Sequence, residues 1–136
     1  MNPREALRKW IRAKMTISID ALSRTLYKYR NRAINYFELT HSGAVLFKES
    51  FDGRYLILVY LLAKLYQWIA GLVDREDASA KELSELPFLL EPDLDFELDR
   101  LLRDDLIRRS ERGYCLNHRK LDEIFDLLDS YLAARR

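Results

Sequence analysis

The chain carries a single cysteine, Cys115, with three prolines and four glycines in 136 residues. One thiol forms no internal disulfide and offers no thiolate cluster to zinc, so a reducing cytoplasm is the expected setting. With so little proline and glycine, and a hydrophobic content of 49%, the composition points to a helix-rich globule rather than a tail or linker. The scattered glycines make no phosphate-binding loop. Met1 to Lys14 is charged throughout, so no secretory signal is expected. The two histidines, His41 and His118, lie far apart in sequence, and a lone histidine in a turn or near a helix cap is more often a surface residue than a base or ligand. His118 and Asp122, four residues apart, are half a metal site with no further histidine or thiolate to complete it. No catalytic residue, metal or cofactor is therefore expected, and the protein reads as non-enzymatic.

What is present is unevenly distributed. The formal net charge is +1, yet residues 1–37 hold nine bases against Glu5 and Asp20, while residues 74–107 hold twelve acids against four bases. That asymmetry bears on partners rather than on fold. The longest apolar run, residues 55–73, is broken only by Lys64 and Gln67. Nineteen residues could cross a hydrocarbon core of about 30 Å. A mid-span lysine costs roughly 2.5–3.5 kcal/mol there, and the compact module that follows needs this helix as its core. No membrane is expected.

Taken in order, Asn2 and Pro3 open a helix with Leu7, Trp10, Ile11 and Met15 at helical spacing and Arg4, Arg8 and Arg12 on its other face. Ser18 or Asp20 caps a second helix, whose buried stripe is Ala21, Leu22, Leu26, Tyr29, Ala33 and Phe37. Arg24, Lys28 and Arg32 recur every fourth residue along it. Such a basic row suits phosphate contact, and a solvated face is its ordinary alternative. Phe37, Leu39, Val45 and Phe47 flank Thr40-His41-Ser42-Gly43, a hairpin signal. The long helix then ends at Gly71 or in the acidic run Asp74 to Asp77.

Ser79 caps a short helix over Ala80 to Leu86, with Glu82 at the capping-box position and Pro87 as the stop. Phe88-Leu89-Leu90-Glu91 is a connection. Pro92 or Asp93 opens the next helix, with Leu94, Leu98, Leu101 and Leu102 inward. Leu106 to Arg109 and Tyr114 to Leu116 read as two strands joined by Ser110-Glu111-Arg112-Gly113, and Cys115 packs between them and the core. Asn117 caps a last helix with Leu121, Ile124, Phe125, Leu128 and Leu132 on one face. Asp122, Asp126 and Asp129 form a second row on it, read as solvated.

Over residues 55–131 this order resembles the winged helix-turn-helix family. The resemblance rests on Lys81-Glu82-Leu83-Ser84-Glu85-Leu86, on Leu98 to Ile107 as Leu-x-x-Leu-Leu-x-x-x-Leu-Ile, and on Arg109 to Asn117 as the wing. The expected fold is mainly α with small β: basic N-terminal helices and a hairpin over 1–50, then a winged-helix module with a C-terminal helix over 51–136, forming one unit. The resemblance implies that residues 93–105 enter the major groove of DNA and that the wing touches its backbone. Arg100, Arg103, Arg108, Arg109 and Arg112, with Arg24, Lys28 and Arg32, are the expected nucleic-acid contacts. The reading helix departs from the pattern, since Asp93, Asp95, Glu97, Asp99, Asp104 and Asp105 outnumber its two arginines and forfeit counterion release. Two partners stay open: DNA, for a transcription regulator, or a protein docking on the acidic helix in an assembly module. Under either, a homodimer is expected, with Tyr66 and Trp68 at its seam and Leu121, Phe125, Leu128 and Leu132 as a second seam, a stripe that ordinary core packing explains equally well.

Overall fold

The computed structural model describes residues 2–14, 19–87 and 91–135. Met15, Ser18 and the connection Phe88 to Leu90 lie outside them. Helix α1 (Pro3–Lys14) starts where Asn2 Oδ1 accepts the Glu5 N–H at 2.8 Å, the cap read from the sequence. Helix α2 (Ile19–Lys28) does not run on to Phe37 as its spacing suggested. Arg30 donates from its guanidinium to the Tyr27 carbonyl at 2.7 Å, occupying an acceptor at the helix end. A separate single turn, α3 (Arg30–Ala33), follows, and Phe37 enters strand β1 (Phe37–Leu39) instead. It pairs antiparallel with β2 (Val45–Phe47), Phe37 opposite Phe47, about the expected turn.

Helix α4 (Gly53–Ile69) is the central rod. Beyond Ile69 the chain leaves the helix through Gly71 at φ +75°, a left-handed position that favours glycine. The Leu72 N–H reaches the Gln67 carbonyl at 2.9 Å and the Gly71 N–H reaches Trp68 at 3.1 Å, so the last carbonyls are satisfied by the crossed pair of bonds common at helix ends. Leu56 to Val59, Leu61 to Ala63 and Leu65 are all buried. No second chain or lipid is needed to cover them. Helix α5 (Ala80–Ser84), α6 (Glu91–Arg103) and α7 (Leu121–Ala134), with the ribbon β3 (Ile107–Arg109) and β4 (Tyr114–Leu116), close around the rod. Leu94, Leu98 and Leu101 come in from α6, and Leu121, Ile124, Phe125 and Leu128 from α7. Among the described residues, no helix is long and apolar enough to cross a membrane. The architecture is mainly α with two small antiparallel hairpins.

The two polar residues that interrupt the apolar run of the rod have internal partners. Gln67 is fully buried and donates from Nε2 to the Gly43 carbonyl at 2.7 Å, fastening the first hairpin's turn to α4. Lys64 Nζ lies 3.2 Å from Glu82 Oε2, which also accepts from the Tyr60 hydroxyl. The capping box is therefore half made: Ser79 Oγ accepts the Glu82 N–H at 3.0 Å, while the Glu82 carboxylate turns to α4 rather than back to the cap. Tyr66 donates to the Leu26 carbonyl at 2.7 Å, and burial lifts its phenol to about 12.

Helices α2 and α3 and the first hairpin dock on the same body. Tyr29 stacks on Phe125 with centroids 4.6 Å apart, and Tyr36 meets Phe125 and Phe51 at 6.0 and 6.1 Å. The acidic row of α7 is not simply solvated. Asp122 accepts from the Tyr29 hydroxyl and Asp129 from the Tyr36 hydroxyl, while Arg32 reaches Asp126 at 2.9 Å and Asp129 at 2.6 Å.

Candidate functional site

The residues expected to contact a partner fall into three groups. Arg24 and Lys28 are exposed on α2. Arg32, the third of their row, is turned inward and committed to α7. Burial opposes its charge, but the hydrogen bonds to Asp126 and Asp129 outweigh that and drive its pKa further up. The row is thus two exposed cations, Lys28 with its ammonium 5.0 Å from the Tyr29 ring centroid, and one structural one.

The second group converges. Arg103, Arg108 and Arg109 line an open groove of about 810 Å³ between α6 and β3, with Phe96, Leu102 and Ile107 also in its lining. Arg100 lies over the Phe96 ring at 5.8 Å, and Arg112 is exposed at the hairpin tip. None of Arg103, Arg108, Arg109 and Arg112 ion-pairs with a described carboxylate. Asp99 and Asp105 enter the same lining and partly offset the cations. Asp105 takes φ +60°, and the buried Asn117 holds that bend by donating from Nδ2 to the Asp105 carbonyl at 2.9 Å. Asn117 Oδ1 meanwhile accepts from the Arg119 N–H at 3.2 Å, so it caps a 3-10 turn (His118–Lys120) ahead of α7 rather than α7 itself.

The third group, read as a dimer seam, is mostly spent inside one chain. Leu121, Phe125, Leu128 and Leu132 are buried against α4 and the N-terminal aromatics, so the seam proposed for them is corrected to core. Tyr66 and Trp68 are half-buried and pack on the same core.

The β3–β4 ribbon is anchored by residues that a reading of charge alone missed. Asp77 is buried and takes two hydrogen bonds of 2.9 Å from Arg75 and one of 2.7 Å from Ser110 Oγ. The Arg75 bonds hold its carboxyl well below the usual carboxylate range, with Ser110 adding to them against the opposing effect of burial. Next to it, Ala78 and Tyr114 exchange backbone hydrogen bonds of 2.9 and 2.8 Å, extending the ribbon onto the segment that enters α5. A Cβ on Gly113 would sit 2.0 Å from the Ala78 carbonyl oxygen, so only glycine fits there. The sequence showed Asp77 only as one acid in a run.

His118 does not pair with Asp122. Its Nε2 lies 2.6 Å from Glu76 Oε1. Burial first, then the nearby Glu76 and Asp77 carboxylates, push the Cys115 thiol up to about 11, which leaves it a protonated, weakly nucleophilic group at neutral pH. Among the described residues, no three His, Cys, Asp or Glu side chains come together as metal ligands. Comparison of the chain with protein families, curated proteins and solved structures finds no match.

Proposed function

We propose that residues 53–134 are a winged helix and that the protein binds DNA, as a non-enzymatic, cytoplasmic transcription regulator. The order of α4, the α5–α6 pair, the β3–β4 ribbon and α7 supports the first part. The second part rests on one observation above all: Arg103, Arg108 and Arg109 share a groove beside the ribbon, and none of them ion-pairs with a described carboxylate. A groove flanked by a helix and a β-ribbon, with three arginines in its lining, suits a phosphodiester backbone. In this reading the acidic first half of α6 stays out of the duplex. Affinity comes from the C-terminal turn of α6 and the ribbon, with Arg112 at its tip and Arg24 and Lys28 as a second basic surface.

A protein partner for the acidic half of α6 is the second reading, and Phe96, exposed among acids, is the observation that favours it. Retention of a fluorescent random duplex by the full chain at low salt separates the two. The DNA reading expects submicromolar to micromolar retention, lost by roughly 100-fold in R103E/R108E/R109E, because reversing three phosphate contacts removes most of the electrostatic attraction. No retention by the wild type, or equal retention by the triple variant with unchanged helicity, refutes it.

A further inference from the structure

Among the described residues, helix α1 holds a largely exposed apolar stripe. Leu7 is 57% and Trp10 55% exposed, and Ile11 is half-buried. Their offsets of three and four put them on one side of the helix, and a helix of 12 residues is marginal in water without a surface to pack on. Arg4, Arg8, Lys9, Arg12 and Lys14 against Glu5 give the same segment a net charge of +4. Phosphate contact would use those cations and leave the stripe without purpose.

Helix α6 has the complement. Phe96 is 57% exposed, and Asp93, Asp95 and Asp99 are exposed around it. The helix carries five acids against Arg100 and Arg103, a net charge of −3, with both arginines in its second half. We infer that the protein is a homodimer in which α1 of each chain lies across the acidic first half of α6 of the other, Leu7 and Trp10 packing on Phe96. Pairing α1 with α1, or α6 with α6, sets like charges together. The α1–α6 pairing covers both patches, and two reciprocal contacts close about a two-fold axis with neither patch left for further growth. An anionic bilayer also accepts a basic amphipathic helix, but it repels α6 and leaves Phe96 uncovered. The inference rests on the exposed stripe of α1 and the exposed acidic face of α6, not on the seams expected from the sequence and not on DNA contact, so its test is run without nucleic acid.

The full chain is examined by sedimentation velocity at tens of micromolar. A dimer is expected at about 50 mM salt, with affinity at least about tenfold weaker at about 500 mM, where charge attraction is screened. R4E/R8E and D95K/D99K should each be monomeric, and R4E/R8E/D95K/D99K should pair again because both signs are exchanged. Trp10→Ser, which leaves the core untouched, should weaken the dimer without changing helicity and covers the case in which a charge reversal fails to fold. A monomeric wild type, a dimer indifferent to Trp10→Ser and to both reversals, or a quadruple variant that stays monomeric overturns the inference. A wild type that is monomeric in solution but pellets with phosphatidylserine vesicles overturns it in favour of a lipid surface.

Discussion

Lys64 Nζ stands 3.2 Å from Glu82 Oε2, joining the middle of the long apolar helix to the first turn of α5. The lysine side chain is largely buried and the carboxylate about one-third exposed, so neither charge is fully hydrated. Removing one partner strands the other beside the Tyr60 hydroxyl, whose pKa is already raised by burial and then by Glu82. Lys64→Met is expected to destabilise the fold by about 1–2 kcal/mol, and Glu82→Gln by a similar amount. Urea unfolding of both single variants and the double should show coupling of at least about 0.5 kcal/mol, whereas strictly additive losses would mean that the pair contributes nothing.

Gly113 gives a sharper effect from a smaller change. One methyl group placed 2.0 Å from the Ala78 carbonyl oxygen must push β4 off the segment before α5. Gly113→Ala should cost about 1–3 kcal/mol, with the loss local to the ribbon. Amide exchange read by NMR should show the Ala78 and Tyr114 N–H groups losing protection while the α4 amides keep theirs. Unchanged exchange at those two residues would contradict the close approach.

Asp77 makes the same junction sensitive to acid. Its carboxyl is held below its unfolded value of about 3.9 mainly by Arg75. A depressed folded pKa contributes stability that is complete above the unfolded value and is lost as pH falls toward the folded one. Wild-type stability should therefore fall below about pH 4, and Asp77→Asn should be less stable at pH 7 with a flatter acid limb. Chemical unfolding at a series of pH values for the two proteins checks this, and parallel curves would show that Asp77 is not the group responsible.

The elements built on strong periodicity and turn chemistry were legible in the chain: α4, α7, both hairpins and their turns. Side chains with two plausible uses were not. Helical spacing put Phe37 on α2, but the backbone leaves that helix at Tyr29, beside the Arg30 bond to the Tyr27 carbonyl, and β1 takes the ring to Tyr66, 5.9 Å away. A row of carboxylates at 122, 126 and 129 looks the same in sequence whether it faces water or Tyr29, Arg32 and Tyr36. The same degeneracy made Leu121 to Leu132 serve equally as core or seam, because periodicity reports that a face is covered and not by what. The groove joins α6 to β3 across a bend at Asp105, so its arginines could be read singly but not as one lining.

Arg32 can be told apart from its row by stability rather than by binding. Arg24 and Lys28 are exposed, whereas Arg32 holds α3 to α7 through Asp126 and Asp129. Arg24→Glu and Lys28→Glu should each change stability by no more than about 0.5 kcal/mol. Arg32→Glu sets three carboxylates together and should cost about 2–3 kcal/mol. Limited proteolysis should then cut Arg32→Glu within residues 19–36 faster than the other two. Equal cutting of all three would return Arg32 to the solvent-facing row.

If the groove beside the ribbon holds DNA, salt dependence counts its contacts. Each phosphate neutralised releases about one counterion, so the slope of log K against log salt falls by roughly one for each contact removed. Arg108→Ala and Arg109→Ala should each lower the magnitude of that slope by about one, and Arg103→Ala should do the same from the helix side of the groove. Arg32→Ala should leave the slope unchanged, since Asp126 and Asp129 already neutralise it. Isotherms for a random duplex at four salt concentrations are sufficient. A slope that falls for Arg32→Ala but not for the groove arginines would shift the DNA surface from the ribbon to the N-terminal helices.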